Sequence, residues 1–303
     1  MCALCTSPIP PAPMGAGFRM VLNESCDNQR HRKNDNLHSR SAQIRVEMPV
    51  SATAYLDFGY PWWLSYGHLP ILALTGSMLL LGYARKWSRW PMLLLSALAL
   101  WAGSAFLVER FVIDVNGQPA LPTQSFLHFG AERVLDIGAG TGRSSIMVLQ
   151  ARPQATLVAL DLFGESFEQH FGRKESPQQR LLANSKAAGV EQRATITTAD
   201  MRKLPFEPAA FDAIVSAYAM DHLNRQGSDQ SLAEAARVIK PRGDFLLMVI
   251  ANEPWAKFTF GPLMAHGGTR GADWWSGHVR RAGFEMIEEG TRPLTLYLLA
   301  RRL

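Results

Sequence analysis

Asp136, Asp161, Asp200 and His222 all stand where an apolar run gives way to a turn in this 303-residue chain. The first belongs to Arg133-Val134-Leu135-Asp136-Ile137-Gly138-Ala139-Gly140-Thr141-Gly142. Val134, Leu135 and Ile137 read as a short buried strand, and Arg143 to Leu149 opens a helix behind the glycines. Gly138, Gly140 and Gly142, with Ala139 between them, let the backbone turn sharply and a ligand approach closely. A dinucleotide loop needs G-x-G-x-x-G; here the third glycine comes one residue early. A carboxylate at Asp136 repels a pyrophosphate but suits a cationic ligand or one bearing an ammonium group. Asp161 closes a second apolar run, Thr156 to Asp161, about 20 residues past the loop, where a carboxylate can accept hydrogen bonds from both hydroxyls of a ribose. A helix N-cap is the plainer role for such an Asp taken alone.

These residues need a sheet to hold them. A third strand, Ala194 to Thr198, leads into Ala199-Asp200-Met201, and a fourth spans Phe211 to Ser216. Beyond it lies Ala217-Tyr218-Ala219-Met220-Asp221-His222, at the strand edge where open α/β sheets take substrates. His222, with an ordinary pKa near neutrality, could deprotonate an acceptor. The alternative is that Asp221 and His222 cap the next helix or bond to the loop. Ser231 to Lys240 has helical spacing, with Leu232, Ala235, Ala236 and Ile239 on one face. Pro241 to Asp244 reads as a tight turn into a buried strand, Phe245 to Ile250. Trp274 to Ala282 reads as a helix stopped by Gly283, followed by a hairpin of Phe284 to Glu289 and Leu294 to Ala300.

V-L-D-I-G-A-G-T-G resembles the first motif of class I S-adenosylmethionine-dependent methyltransferases. Asp161, Asp200-Met201 and Leu204-Pro205-Phe206 follow in the order found in the small-molecule branch of that family. The resemblance covers roughly residues 117–303. It implies an α/β fold, a Rossmann-like doubly wound seven-stranded sheet with an antiparallel last strand, and S-adenosyl-L-methionine as cofactor. By the same resemblance Asp136, Gly138, Ala139, Gly140 and Gly142 hold the methionine end, and Asp161 takes the ribose. Leu162 lies against adenine, Asp200 meets its amino group, Met201 meets the ring through its backbone, and Ser216 ends the fourth strand beside the donor. His222 is the candidate base. Aminopropyl transfer from decarboxylated S-adenosylmethionine is a rival within this fold, but it calls for a carboxylate where Ser216 stands. A non-catalytic, membrane-tethered nucleoside-binding module is the second alternative.

The front of the chain differs in kind. Leu64 to Tyr83 and Met92 to Val108 are almost uncharged and close to the length of about 20 residues that crosses a bilayer. Arg85-Lys86-Trp87-Ser88-Arg89-Trp90-Pro91 joins them, and Trp62, Trp63, Tyr66, Tyr83, Trp87 and Trp90 gather at their ends like an interfacial belt. A membrane-inserted helical hairpin (about 64–83 and 92–108, within 51–116) is expected; two buried soluble helices are the alternative, and Gly67 with Pro70 shortens the first. The three basic residues of the turn point it inward by the positive-inside rule. The donor requires the catalytic domain, 117–303, to face the cytoplasm. The two agree if the hairpin dips in without crossing, or if the folded domain overrides three charges.

Residues 1–50 are proline-rich and then polar, and read as a disordered tail without a signal peptide's apolar stretch; translation starting at Met20 or Met48 is an open expectation. All three cysteines, Cys2, Cys5 and Cys26, fall there, so no metal site and no disulfide framework are expected, and thiol-dependent arsenite methylation is disfavoured. A formal charge of +5 suits contact with anionic membrane lipids. No basic stripe with interleaved aromatics marks a nucleic-acid partner. Phe163 to Pro177, with Phe167, His170 and Phe171, reads as a lid. Asn252 to Ala272, with Trp255, Phe258, Phe260 and Met264, reads as an aromatic loop beside the acceptor. The aromatics and the anchor together predict a small apolar acceptor, lipid-like or quinone-like.

Overall fold

The computed structural model describes residues 56–127, 132–164, 176–251, 253–261 and 270–303. The expected tail, and most of the expected lid, lie outside these residues. Five strands come first along residues 132–250: β1 (Arg133–Ile137), β2 (Thr156–Asp161), β3 (Ala194–Thr198), β4 (Phe211–Ala217) and β5 (Ile239–Ile250). The hairpin β6 (Phe284–Arg292) and β7 (Thr295–Arg302) completes a sheet of order β3-β2-β1-β4-β5-β7-β6. The first five strands run parallel, and β7 is antiparallel to both of its neighbours. This is the seven-stranded arrangement that the sequence predicts.

Both faces of the sheet are covered, because alternate residues of each strand point to opposite sides. Leu135, Ile137 and Leu160 pack with Leu232 and Ala235 of α6 (Arg225–Val238) and Trp275 of α8 (Ala272–Arg281). Val134, Leu157 and Ala159 pack with Ile146 and Val148 of α4 (Arg143–Ala151) and Leu181 of α5 (Pro177–Ala187). Strand order reverses between β1 and β4, so the carboxyl ends of these two strands open the crevice where such sheets bind ligands.

Several boundaries differ from the sequence reading, most of all around α6 and β5. Helix α6 begins at Arg225 rather than Ser231, since the Asn224 side chain accepts the Gly227 amide at 2.8 Å and caps it. It ends at Val238, ahead of Pro241, which cannot continue a helix. The expected turn Pro241 to Asp244 is an irregularity inside β5, with Arg242 at φ +64° and a register shift opposite Phe211 and Ala213.

The front of the described chain forms α1 (Trp62–Tyr66), α2 (His68–Ala84) and α3 (Arg89–Val108), the last continuing through a π-helical turn, Glu109–Ile113. Pro70 falls in the first turn of α2, where a missing N–H breaks no helical bond, so the helix is not shortened by it. Among the described residues one helix, Arg89–Ile113, which contains an 18-residue stretch of mean hydropathy 1.9, is long and apolar enough to cross a membrane; α2, with 17 residues, is apolar but shorter. The hairpin rests on α7 (Pro254–Phe260): the buried His68 ring nitrogen Nε2 lies 2.8 Å from the Thr259 carbonyl, and Trp101 Nε1 donates to the Phe258 carbonyl at 2.8 Å. Helix α7 stands within the segment expected to be an irregular aromatic loop; residues 252 and 262–269 of that segment lie outside the described ones.

Candidate functional site

The three loop glycines all adopt positive φ: +79° at Gly138, +51° at Gly140 and +91° at Gly142. Side chains rarely take this backbone form, so the spacing follows from the turn itself. A Cβ on Gly138 would stand 2.2 Å from the Ala219 Cβ, which lies beyond β4. The loop is clamped to β2: the Gly138 and Ala139 amides both donate to the Leu160 carbonyl, at 2.8 and 3.0 Å. The Gly140 amide donates to Asp161 Oδ2 at 3.0 Å.

Asp161 therefore stands at the end of β2 against the loop, as its spacing predicts. Its other oxygen accepts the Phe163 amide at 2.9 Å. Each oxygen keeps a further lone pair, enough to receive a pair of hydroxyl donors. Leu162, next to it, is 56% exposed, an apolar surface at the rim. Asp136 lies beneath the loop and is fully buried. Its Oδ2 accepts the Ser144 and Ser145 hydroxyls at 2.7 and 2.6 Å, while Oδ1 has no hydrogen-bond partner among the described residues. Burial raises its pKa to about 6 against the pull of the two hydroxyls. The two serines were not singled out in the sequence, although their place eight and nine residues on, in the first turn of α4, offered the signal.

Asp200 is paired with Arg202, whose guanidinium meets both carboxyl oxygens at 2.6 to 3.0 Å and whose amide donates at 2.8 Å. This contact holds its carboxyl below the usual range. Met201 approaches the Gly138 position from the third strand, its Cε 3.3 Å from where a Cβ would be. Ser216 is fully buried and donates its hydroxyl to the Ile137 carbonyl, next to Gly138, at 2.8 Å, bracing β4 on β1. His222 ends a short turn, Met220–His222, and is exposed.

A strap that the sequence reading passed over completes the site. Phe58 is buried, and its carbonyl accepts the Thr141 hydroxyl at 2.9 Å. Asp57 pairs with Arg180 at 2.6 Å and exchanges backbone bonds with the Asn184 amide at 3.0 and 2.9 Å. Asn184 also donates to the Thr141 carbonyl at 3.0 Å, and the Arg143 guanidinium lies over the Phe58 ring at 5.1 Å. Residues 56–60 thus lie across the glycine loop and run straight on into Pro61 and α1. The alternation Leu56, Phe58, Tyr60 with Asp57 and Gly59 between was the available sign of a half-buried extended segment.

Taken together, a glycine cradle, an orphaned buried carboxylate oxygen and a strand-end carboxylate with spare lone pairs fit a nucleoside that carries an amino-acid end. Residues 134–243 match the family model described as a methyltransferase domain. A ubiquinone/menaquinone biosynthesis C-methyltransferase, UbiE, of Rhizobium leguminosarum bv. trifolii is 32% identical over 117 residues, which is 38% of this chain and 40% of that protein. A demethylmenaquinone methyltransferase of Deinococcus radiodurans is 29% identical over 136 residues, 45% of this chain and 50% of the other. The chain spans about half or less of the length of these curated relatives. Among solved structures, an O-methyltransferase family protein from Burkholderia thailandensis is similar at 20% identity and a TM-score of 0.47, over 67% of this chain and 58% of that one. The [4+2]-cyclase SpnF is similar at 16% identity and the same TM-score, 0.47, over 59% of this chain and 77% of its own. The matched segment is a methyltransferase domain, and S-adenosylmethionine is its cofactor.

Proposed function

We propose that this chain is a membrane-associated enzyme that moves a methyl group from S-adenosylmethionine to a small apolar ring acceptor of the quinone type. The observation that carries this reading is a continuity of chain. The strap pinned on the glycine loop leads without a break into a hairpin whose leucines and aromatics stay exposed, so one body joins a donor cradle to an apolar surface. Trp62, Trp63, Tyr66 and Phe111 are exposed at the end near the domain, and Tyr83, Trp87 and Trp90 at the far turn. Helix α3, of 20 residues, is about 30 Å long, a match to the hydrocarbon core between two such aromatic belts.

Asp136 and the Gly138–Gly142 backbone hold the amino-acid end, Asp161 the ribose, Leu162 one face of the adenine, and Asp200 with Met201 its far edge. When bound, the sulfonium supplies an already activated methyl group, so the protein's task is alignment of an in-line displacement. The relatives named for quinone methylation support a ring acceptor. In this account residues 1–50 are a tail, 51–116 the anchor and 117–303 the enzyme, which faces the cytoplasm, where its donor is made.

The test is to incubate the full chain with phospholipid vesicles holding a short-chain demethylmenaquinol and to follow S-adenosylhomocysteine. Turnover that requires both vesicle and quinol is expected. Equal turnover of water-soluble acceptors without vesicles would overturn the membrane part, and none with the quinol the acceptor class.

A further inference from the structure

Glu109, the first residue past α3, is set apart from the rest of the hairpin. Leu107 and Phe111, two residues to either side, are 54% and 76% exposed, whereas Glu109 is 1% exposed. Both of its carboxyl oxygens are buried, and neither has a hydrogen-bond partner among the described residues. The Val115 N–H and the Ser65 hydroxyl are the polar groups turned towards it, and both fall short of hydrogen-bond geometry. The charged groups that act on it are Asp114 and Arg110, which pair with each other at 3.4 Å and lie half-exposed. Helix α1, which brings Ser65, carries no charged side chain. An ionised carboxylate shut in such a place costs far more than the neutral acid. The closed form of this junction is therefore the one that keeps the proton.

The junction also has a backbone suited to rearrangement. Glu109–Ile113 is a π-helical turn, a form that helices adopt mostly at functional sites. Asp114 ends it in the left-handed region, at φ +47°. The chain then makes two contacts. The Asn116 side chain donates to the Ser65 hydroxyl of α1 at 3.2 Å, and the Val115 carbonyl accepts the Arg143 guanidinium. Arg143 directly follows Gly142 of the donor loop, and its guanidinium also lies over Phe58 of the strap. A short run of chain, 109–116, thus ties a buried acid to the first residue of α4, at the edge of the cradle.

We propose that Glu109 is a proton-held latch: as the neutral acid it keeps residues 109–116 closed, and its ionisation opens them and loosens the donor cradle through Arg143. This rests on the cradle holding S-adenosylmethionine. As pH rises the proton passes to water, the carboxylate must reach solvent, and the π turn and the Val115 contact give way. The closed form binds this proton more tightly than the open one, so low pH favours it and rising pH removes it. A donor that prefers the closed cradle and a proton that prefers the closed latch then strengthen each other's binding.

The test compares the full chain with Glu109→Gln in detergent micelles, by calorimetric titration with S-adenosylmethionine from about pH 5 to about pH 9. Gln is an uncharged stand-in for the neutral acid and should stay closed throughout; Glu109→Met, also uncharged and of similar length, should behave alike. Asp136 and the donor's own amine titrate in every chain, so the ratio of wild-type to variant affinity reports Glu109. That ratio should be close to one near pH 5. By about pH 9 the wild type should bind at least about fivefold more weakly than the variants. Hydrogen exchange without ligand, compared at equal pH, should be alike across 109–117 near pH 5 and faster in the wild type near pH 9. An affinity ratio that does not change with pH overturns the coupling, and exchange that is alike at both ends overturns the latch. A chain that binds no S-adenosylmethionine at any pH overturns the donor reading and the coupling with it, and exchange alone then decides the latch.

Discussion

In the sheet, Leu135, Ile137, Ile214 and Val215 are fully buried, while in the hairpin Leu80, Leu94 and Leu100 keep 75%, 72% and 74% of their surface exposed. The same apolar residue types meet opposite treatment within one chain. A sheet covered on both faces removes its leucines from water by packing, and a hydroxyl such as that of Ser216 is satisfied within it by the Ile137 carbonyl. The hairpin is tied to the rest through His68 and Trp101, which bond to α7 carbonyls, and through Ser65, whose hydroxyl accepts the Asn116 amide. Burial of a leucine side chain is worth about 2 kcal/mol, so the remaining surface calls for an apolar phase of its own. The donor half is completed from within, and the hairpin half is completed by its surroundings.

That contrast can be broken from either side. Glutamates at Leu80, Leu94 and Leu100 together should weaken binding to phospholipid vesicles by at least about 10³-fold, with S-adenosylmethionine affinity unchanged. Co-sedimentation and calorimetry read the two separately, and a parallel loss of both would mean that the halves are not distinct. Gly138→Val is the converse. Its Cβ has no room beside Ala219 and its φ is +79°, so donor affinity should fall by about 100-fold or more while vesicle binding is kept.

Asp136 sharpens the comparison through pH. Its folded pKa, about 6, lies above the ordinary value of 3.8 because it is buried. The folded state thus holds this proton more tightly than the unfolded chain does. The resulting stability is fully present below pH 3.8 and is lost as pH rises through 6, a change of roughly 3 kcal/mol over that window. Asp136→Asn should flatten that part of a denaturation-against-pH profile, and an unchanged profile would place the titration elsewhere. The smallest effect is expected where the halves join. Asp57→Ala removes a partly exposed ion pair with Arg180, should cost about 1 kcal/mol, and should weaken donor binding only about threefold.

Much of the donor half was legible because its signals are local. The glycine spacing fixes the turn, and Asp161 is held by the amides of Gly140 and Phe163, the second only two residues on. The strands are short apolar runs, and the hairpin helices stand out by lack of charge. The pairing of Asp200 with Arg202 was equally local and was passed over. The setting of Asp221 was not legible, because its bond from the Ile250 amide crosses the sheet edge and the charge of Arg270 reaches it from a distant segment. Helix α7 was missed for the same reason: its carbonyls are held by His68 and Trp101, more than a hundred residues earlier.

Calorimetric titration of the full chain, wild type and Asp161→Ala, with S-adenosylmethionine, S-adenosylhomocysteine and NAD tests the donor site most directly. Binding of the first two, weakened about 100-fold in the variant by loss of two charge-assisted hydrogen bonds, with no binding of NAD, is the expected result. A folded chain that binds neither sulfur nucleoside, or binds them equally well without the Asp161 carboxylate, would contradict the account.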